Sequence, residues 1–132
     1  MKKQLLLLLI FSISLYVQGQ NIHKLASPDG NIQISVNLSD KIYYDVICRN
    51  ETLLKQCHLA MEIGDQRLGT NPKFTKVSHK NIDESLKPVI PLKFSSVSNR
   101  YNQLLLDFKG GYSLEFRAFN DGIAYRFITN KK

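Results

Sequence analysis

Tryptophan is absent, cysteine occurs twice and proline four times in 132 residues. Two cysteines do not make a disulfide-framework domain. The lack of tryptophan removes the aromatic side chain with the largest stacking face. No His, Cys and acid spacing fits a zinc site, and no acidic loop fits an EF-hand. A phosphate-cradling glycine loop and a Gly-x-Ser-x-Gly elbow are also missing. His23, His58 and His79 stand in unrelated contexts and read as structural or surface residues.

Charge is plentiful but dispersed. The 18 basic and 11 acidic residues give a net +7, of which Lys2 and Lys3 contribute two. Apart from Lys131-Lys132, the basic residues are scattered, with acids between them. That pattern is a solvated, slightly basic surface. A nucleic-acid partner would need a clustered stripe, so none is expected.

The first nineteen residues have the layout of a secretory signal. A positive start at Lys2-Lys3 leads into the apolar run Leu5–Val17, and Gly19 stands just before Gln20. The run is shorter than the ~20 residues a membrane span requires. Export with cleavage after Gly19 is expected, with no membrane partner afterwards. The remaining Gln20–Lys132 is the size of one modest domain.

Beyond the signal, apolar residues recur with period two, which predicts strands. Ile32, Ile34, Val36 and Leu38 alternate with polar neighbours after the turn at Asp29-Gly30. Ile42 to Arg49 follows, then a turn at Asn50-Glu51 toward Leu53-Leu54. Leu59, Met61 and Ile63 form a further short run. Cys48 and Cys57 leave two readings open, a disulfide across a hairpin and a free thiol on a buried face. Residues 64–95, with Gly64, Gly69, Pro72, Pro88 and Pro91, read mostly as loop, apart from a short strand over Phe74–Val77. So long a loop marks either a contact surface or a missed element.

The last third is the most regular. Leu104, Leu106 and Phe108 alternate, Gly110-Gly111 reverses the chain, and Tyr112, Leu114, Phe116 and Ala118 alternate in turn. Asn120-Asp121-Gly122 is a strong turn signal, and Ile123, Tyr125 and Phe127 continue on a third strand. The expected fold is all-β, an antiparallel sandwich. Strand Ile123–Thr129 either sits inside a sheet or leaves an association-prone edge. Paired carboxylates could serve glycoside hydrolysis. Glu115 and Asp107, on polar faces of adjacent strands, read instead as solvated acids with Arg117 or Lys109 as partners. Asn37-Leu38-Ser39 and Asn50-Glu51-Thr52 match the glycosylation triplet, a frequent chance pattern.

Two segments carry a family resemblance. Ser27-Pro28-Asp29-Gly30-Asn31-Ile32, followed by the run Tyr112–Phe127 (YSLEFRAFNDGIAYRF), resembles the N-terminal domain of glycoside hydrolase family 97. N-terminal β-domains of other α-glycosidases are a more distant likeness. The resemblance implies a β-super-sandwich of galactose-mutarotase type, incomplete here. It also implies a parent enzyme, mostly of Bacteroidetes, that is exported to the periplasm and hydrolyses α-glucosides or α-galactosides.

In that family the catalytic carboxylates and most calcium ligands come from a central (β/α)8 barrel. No catalytic residue, metal ligand or cofactor is therefore carried over, and the domain's one calcium carboxylate falls beyond Lys132. The implied partner is the barrel of the same polypeptide, with the sugar reached through the parent enzyme. Arg117, Asn120, Asp121 and Arg126, in and beside the last turn, are the candidate carbohydrate contacts. Arg forks and turn amides suit sugar hydroxyls; the stronger alternative is that the turn serves only geometry and the arginines pair with Glu115 or with acids of the barrel. The rival expectations are a free-standing secreted carbohydrate-binding module and a non-functional gene fragment.

Overall fold

The computed structural model describes residues 21–90, 93 and 95–129, so the expected signal over 1–19 lies outside the described residues. Ten strands follow in order: β1 (Ile22–Ala26), β2 (Ile32–Leu38), β3 (Ile42–Cys48), β4 (Glu51–Leu59), β5 (Met61–Ile63), β6 (Gln66–Leu68), β7 (Phe74–Leu86), β8 (Val97–Phe108), β9 (Tyr112–Ala118) and β10 (Ile123–Thr129). One four-stranded sheet runs β1-β2-β3-β4 and a second runs β10-β9-β8-β7, every pair antiparallel. The small β5-β6 hairpin stands beside them. The expected all-β antiparallel sandwich is therefore the observed architecture, and no helix occurs among the described residues.

The core forms where the alternating runs face each other. Ile34, Val36 and Ile42 from the first sheet meet Leu104, Leu114 and Phe116 from the second, all fully buried. At ~25 cal/mol per Å² of apolar area, this layer supplies most of the folding drive.

Local chemistry fixes the reversals. Between β3 and β4 the turn is Arg49-Asn50, one residue earlier than expected, with φ of 49° and 69°. Two positive φ values in a two-residue loop match the right-handed twist of a hairpin, and Asn tolerates them. Further along, β4 bulges at Gln56 (φ 51°), and the Asp45 carboxylate accepts its backbone N–H at 2.6 Å. Gly69 (φ 86°) has no substitute, because a Cβ there would lie 2.4 Å from the Leu59 carbonyl oxygen.

Two expectations are corrected. First, the stretch taken as loop contains β6 and the thirteen-residue β7, the longest of the described strands. Its identity was hidden because β7 is an edge strand exposed along nearly its whole length, so no apolar alternation marks it. Pairing with β8, from Phe74↔Phe108 to Leu86↔Val97, makes it a strand.

Second, the open choice at the cysteines closes in favour of free thiols. Cys48 lies opposite Glu51 and Cys57 opposite Tyr44, four residues apart along β3. That offset is roughly 13 Å at strand rise, well beyond the ~7 Å Cα limit for a disulfide.

Candidate functional site

The two resemblance segments, 80 residues or more apart in sequence, meet at one end of the sandwich. Ser27 is buried, and its hydroxyl donates to Asp29 Oδ1 at 2.5 Å and accepts the Ile32 N–H at 3.0 Å. Asp29 also accepts the N–H and Nδ2 of Asn31, at 3.1 and 2.7 Å. The Ser27 hydroxyl first, then the Asn31 amide, hold the Asp29 carboxyl below its ordinary range. The loop so built presents the Asp29 N–H to Asn120 Oδ1 at 3.1 Å, and Asn102 Nδ2 donates to the Ala26 carbonyl at 2.8 Å. Phe119 N–H to Gly122 O, 2.8 Å, closes the facing turn.

Asn120 therefore has a positioning role that the sequence did not reveal. Asn120→Ala is expected to cost about 0.5–1 kcal/mol in urea unfolding, the worth of one ordinary hydrogen bond. Asn120→Asp, which keeps the acceptor, should lose less. Asp121 is exposed at the tip of the turn.

Beside this junction, on the outward face of the second sheet, lies an ion-paired cluster. Glu115 of β9 is 2% exposed, although it faces away from the core. Arg117 Nε donates to its Oε1, while Arg126 Nε and Nη2 both reach Oε2, at 2.7 and 2.6 Å. Arg126 stands directly across from Glu115 on β10, and Arg117 lies two residues along β9 on the same face. The Arg117 guanidinium rests 4.8 Å from the Tyr101 ring centroid, and that ring packs on Phe119.

Burial pushes the Glu115 carboxyl up. Hydrogen bonds and charge from Arg117 and Arg126 together outweigh that and hold it below the ordinary carboxylate range.

The expectation that Glu115 is solvated is thus corrected. The guanidinium groups of Arg117 and Arg126 close over its two oxygens. A carboxylate held ionised between two guanidinium groups is a poor proton donor. Asp107 is not poised to assist, since Ser113 Oγ donates to it at 2.6 Å on a neighbouring row. The hollow lined by Glu115, Arg117, Ala124, Tyr125 and Arg126 is about 110 Å³, well below the ~300–1,000 Å³ of small-molecule sites. Of the four candidate contacts, the structure gathers Arg117 and Arg126 on Glu115 and turns Asn120 toward Asp29.

The fold and this junction define a two-sheet antiparallel β-domain with a salt-bridged outer face. Residues 25–132 match the family described as "Glycosyl-hydrolase 97 N-terminal", and the chain belongs to it. It is 39% identical over 136 residues to a retaining alpha-galactosidase of Bacteroides thetaiotaomicron, a match covering all of this chain and 20% of that protein. A glycoside hydrolase family 97 enzyme from Pseudoalteromonas sp. strain K8, solved with acarbose, shares the fold with a TM-score of 0.73 at 24% identity. A beta-arabinopyranosidase crystal structure superposes with a TM-score of 0.72 at 25% identity. Both structural matches cover 83% of this chain and 18% of the other. The chain thus spans about a fifth of the relatives it matches.

Proposed function

We propose that this chain acts as the non-catalytic N-terminal β-domain of an exported α-glycoside hydrolase, packing on a (β/α)8 barrel and helping to shape its sugar pocket. The observation that carries the reading is the family match over residues 25–132. The signal-like start, expected on sequence, supports export to the periplasm. Arg117, Asn120, Asp121 and Arg126, in and beside the last turn, are our choice for the pocket rim.

The substrate of the parent enzyme would be an α-linked glucoside or galactoside. Calcium, implied by the family, is assigned to no residue of this chain. Among the described residues no group of three or more His, Cys, Asp or Glu side chains gathers as a metal site.

A domain exchange tests the reading. Residues 25–132 would replace the matching segment of the Bacteroides thetaiotaomicron alpha-galactosidase, with hydrolysis of p-nitrophenyl α-galactoside as readout. The chimera is expected to keep activity within tenfold of the parent, while deletion of the segment abolishes it. A folded but inactive chimera would sink the proposal. Retention of the isolated chain on an α-galactoside column would favour the free-standing binding module instead.

A further inference from the structure

β4 is irregular where it passes β3. Lys55 and Gln56 together stand opposite the single residue Asp45, and Gln56 takes a φ of 51°, a left-handed conformation uncommon for a glutamine. The Asp45 carboxylate holds the bulge by accepting the Gln56 N–H at 2.6 Å. Asp45 alternates with buried Tyr44 and Val46, so it belongs to the outward face of the first sheet, and Gln56 is exposed. Bulges re-aim side chains, and a strained residue kept outside the core points to a use for the side chain it carries.

What the bulge borders is a hollow of about 380 Å³, lined by Asn37, Ser39, Tyr43, Asp45 and Gln56. It is larger than the hollow beside Glu115 and falls within the ~300–1,000 Å³ of small-molecule sites. β2, β3 and β4, hydrogen-bonded neighbours, supply most of its wall, and Asn37 stands directly across from Tyr43.

We propose that this hollow binds an uncharged pyranose sugar, stacked on Tyr43, with Asp45 and the Asn37 and Gln56 amides meeting its hydroxyls. The lining contains no Lys or Arg, so a phosphate or carboxylate ligand would meet only the repelling charge of Asp45. It contains no aliphatic side chain either, which disfavours an apolar ligand. Two amides, a carboxylate and two hydroxyls offer both donors and acceptors, as sugar hydroxyls require. Half-buried Tyr43 adds an apolar ring for the C–H face of the sugar. The site lies on the first sheet, whereas Arg117 and Arg126 lie on the second, so it is a second sugar contact beyond the pocket rim proposed above.

The test is a titration of the 15N-labelled chain with methyl α-galactopyranoside, followed by amide chemical shifts. Saturable millimolar binding is expected, too weak to hold the chain on a column, with shifts centred on Tyr43, Asp45 and Gln56. Tyr43→Ala should weaken binding at least tenfold, and Tyr43→Phe, which keeps the ring, at most threefold. Gln56→Gly accepts the positive φ and deletes only the side chain, so it should weaken binding at least threefold with no loss of stability. Methyl α-galacturonide, the same ring bearing a carboxylate, should bind at least threefold more weakly than the neutral sugar. Absence of saturable shifts, shifts centred on Arg117 and Asn120 instead, or a Gln56→Gly chain that binds like the parent would overturn the proposal. An inactive chimera in the domain exchange leaves these shifts untouched, so the two readings fail separately.

Discussion

Phe116→Ala is expected to remove about 3–5 kcal/mol of folding stability. Phe116 sits at the middle of β9, fully buried, between Leu104 of β8 and Tyr125 of β10 in the sheet and beneath Tyr44 of the other sheet. Truncation loses the transfer energy of the ring and leaves a cavity. Rigid strands on both flanks let that cavity collapse only partly. For a domain of this size, total stability of roughly 5–15 kcal/mol makes this a large fraction. The melting temperature should fall by about 10–20 °C. Urea titration of Phe116→Ala against the parent chain checks it, with the midpoint moving and the slope unchanged. A loss below about 1 kcal/mol would mean that the two sheets do not close on this ring.

Sequence patterning disclosed the parts of the fold whose strands have one wet and one dry face. β2, β3, β9 and the buried half of β8 were all readable because burial alternates along them. β7 was not, because an edge strand exposed on both faces has no reason to alternate. Its first residues pair on the sandwich, but Asp83–Leu86 with Val97–Arg100 run past the end of β9 as a two-stranded arm, where Asp83–Arg100 and Glu84–Asn99 contacts replace burial.

The candidate site was half readable. Arg117 and Arg126 were placed on the correct strands with Glu115 as an expected partner, yet the burial of Glu115 was missed, since it was taken for a solvated acid. Period two sorts residues between faces, but it does not show that long guanidinium side chains can bury a carboxylate on the outward one. The meeting of the Ser27–Ile32 loop with Asn120 was equally hidden, since it depends on how two distant turns stack.

Glu115→Ala should cost about 2–4 kcal/mol, second only to the core truncation. Removing one member of a buried ion pair typically costs ~3–5 kcal/mol, because the partner charges lose compensation. Arg126 is mostly exposed and recovers hydration, which pulls the figure down. Arg117, pinned over Tyr101, recovers less. Glu115→Gln keeps the shape and one acceptor, so it should fall between the parent and the alanine variant.

Acid titration separates the electrostatic part from the packing part. The folded Glu115 carboxyl lies below its unfolded value of ~4.3, so its stabilisation is fully present above that pH and is lost as pH falls through the folded value. The parent chain should therefore lose more stability than either variant between about pH 5 and the folded value. Parallel acid slopes for all three proteins would mean that the arginines do not hold this carboxylate ionised.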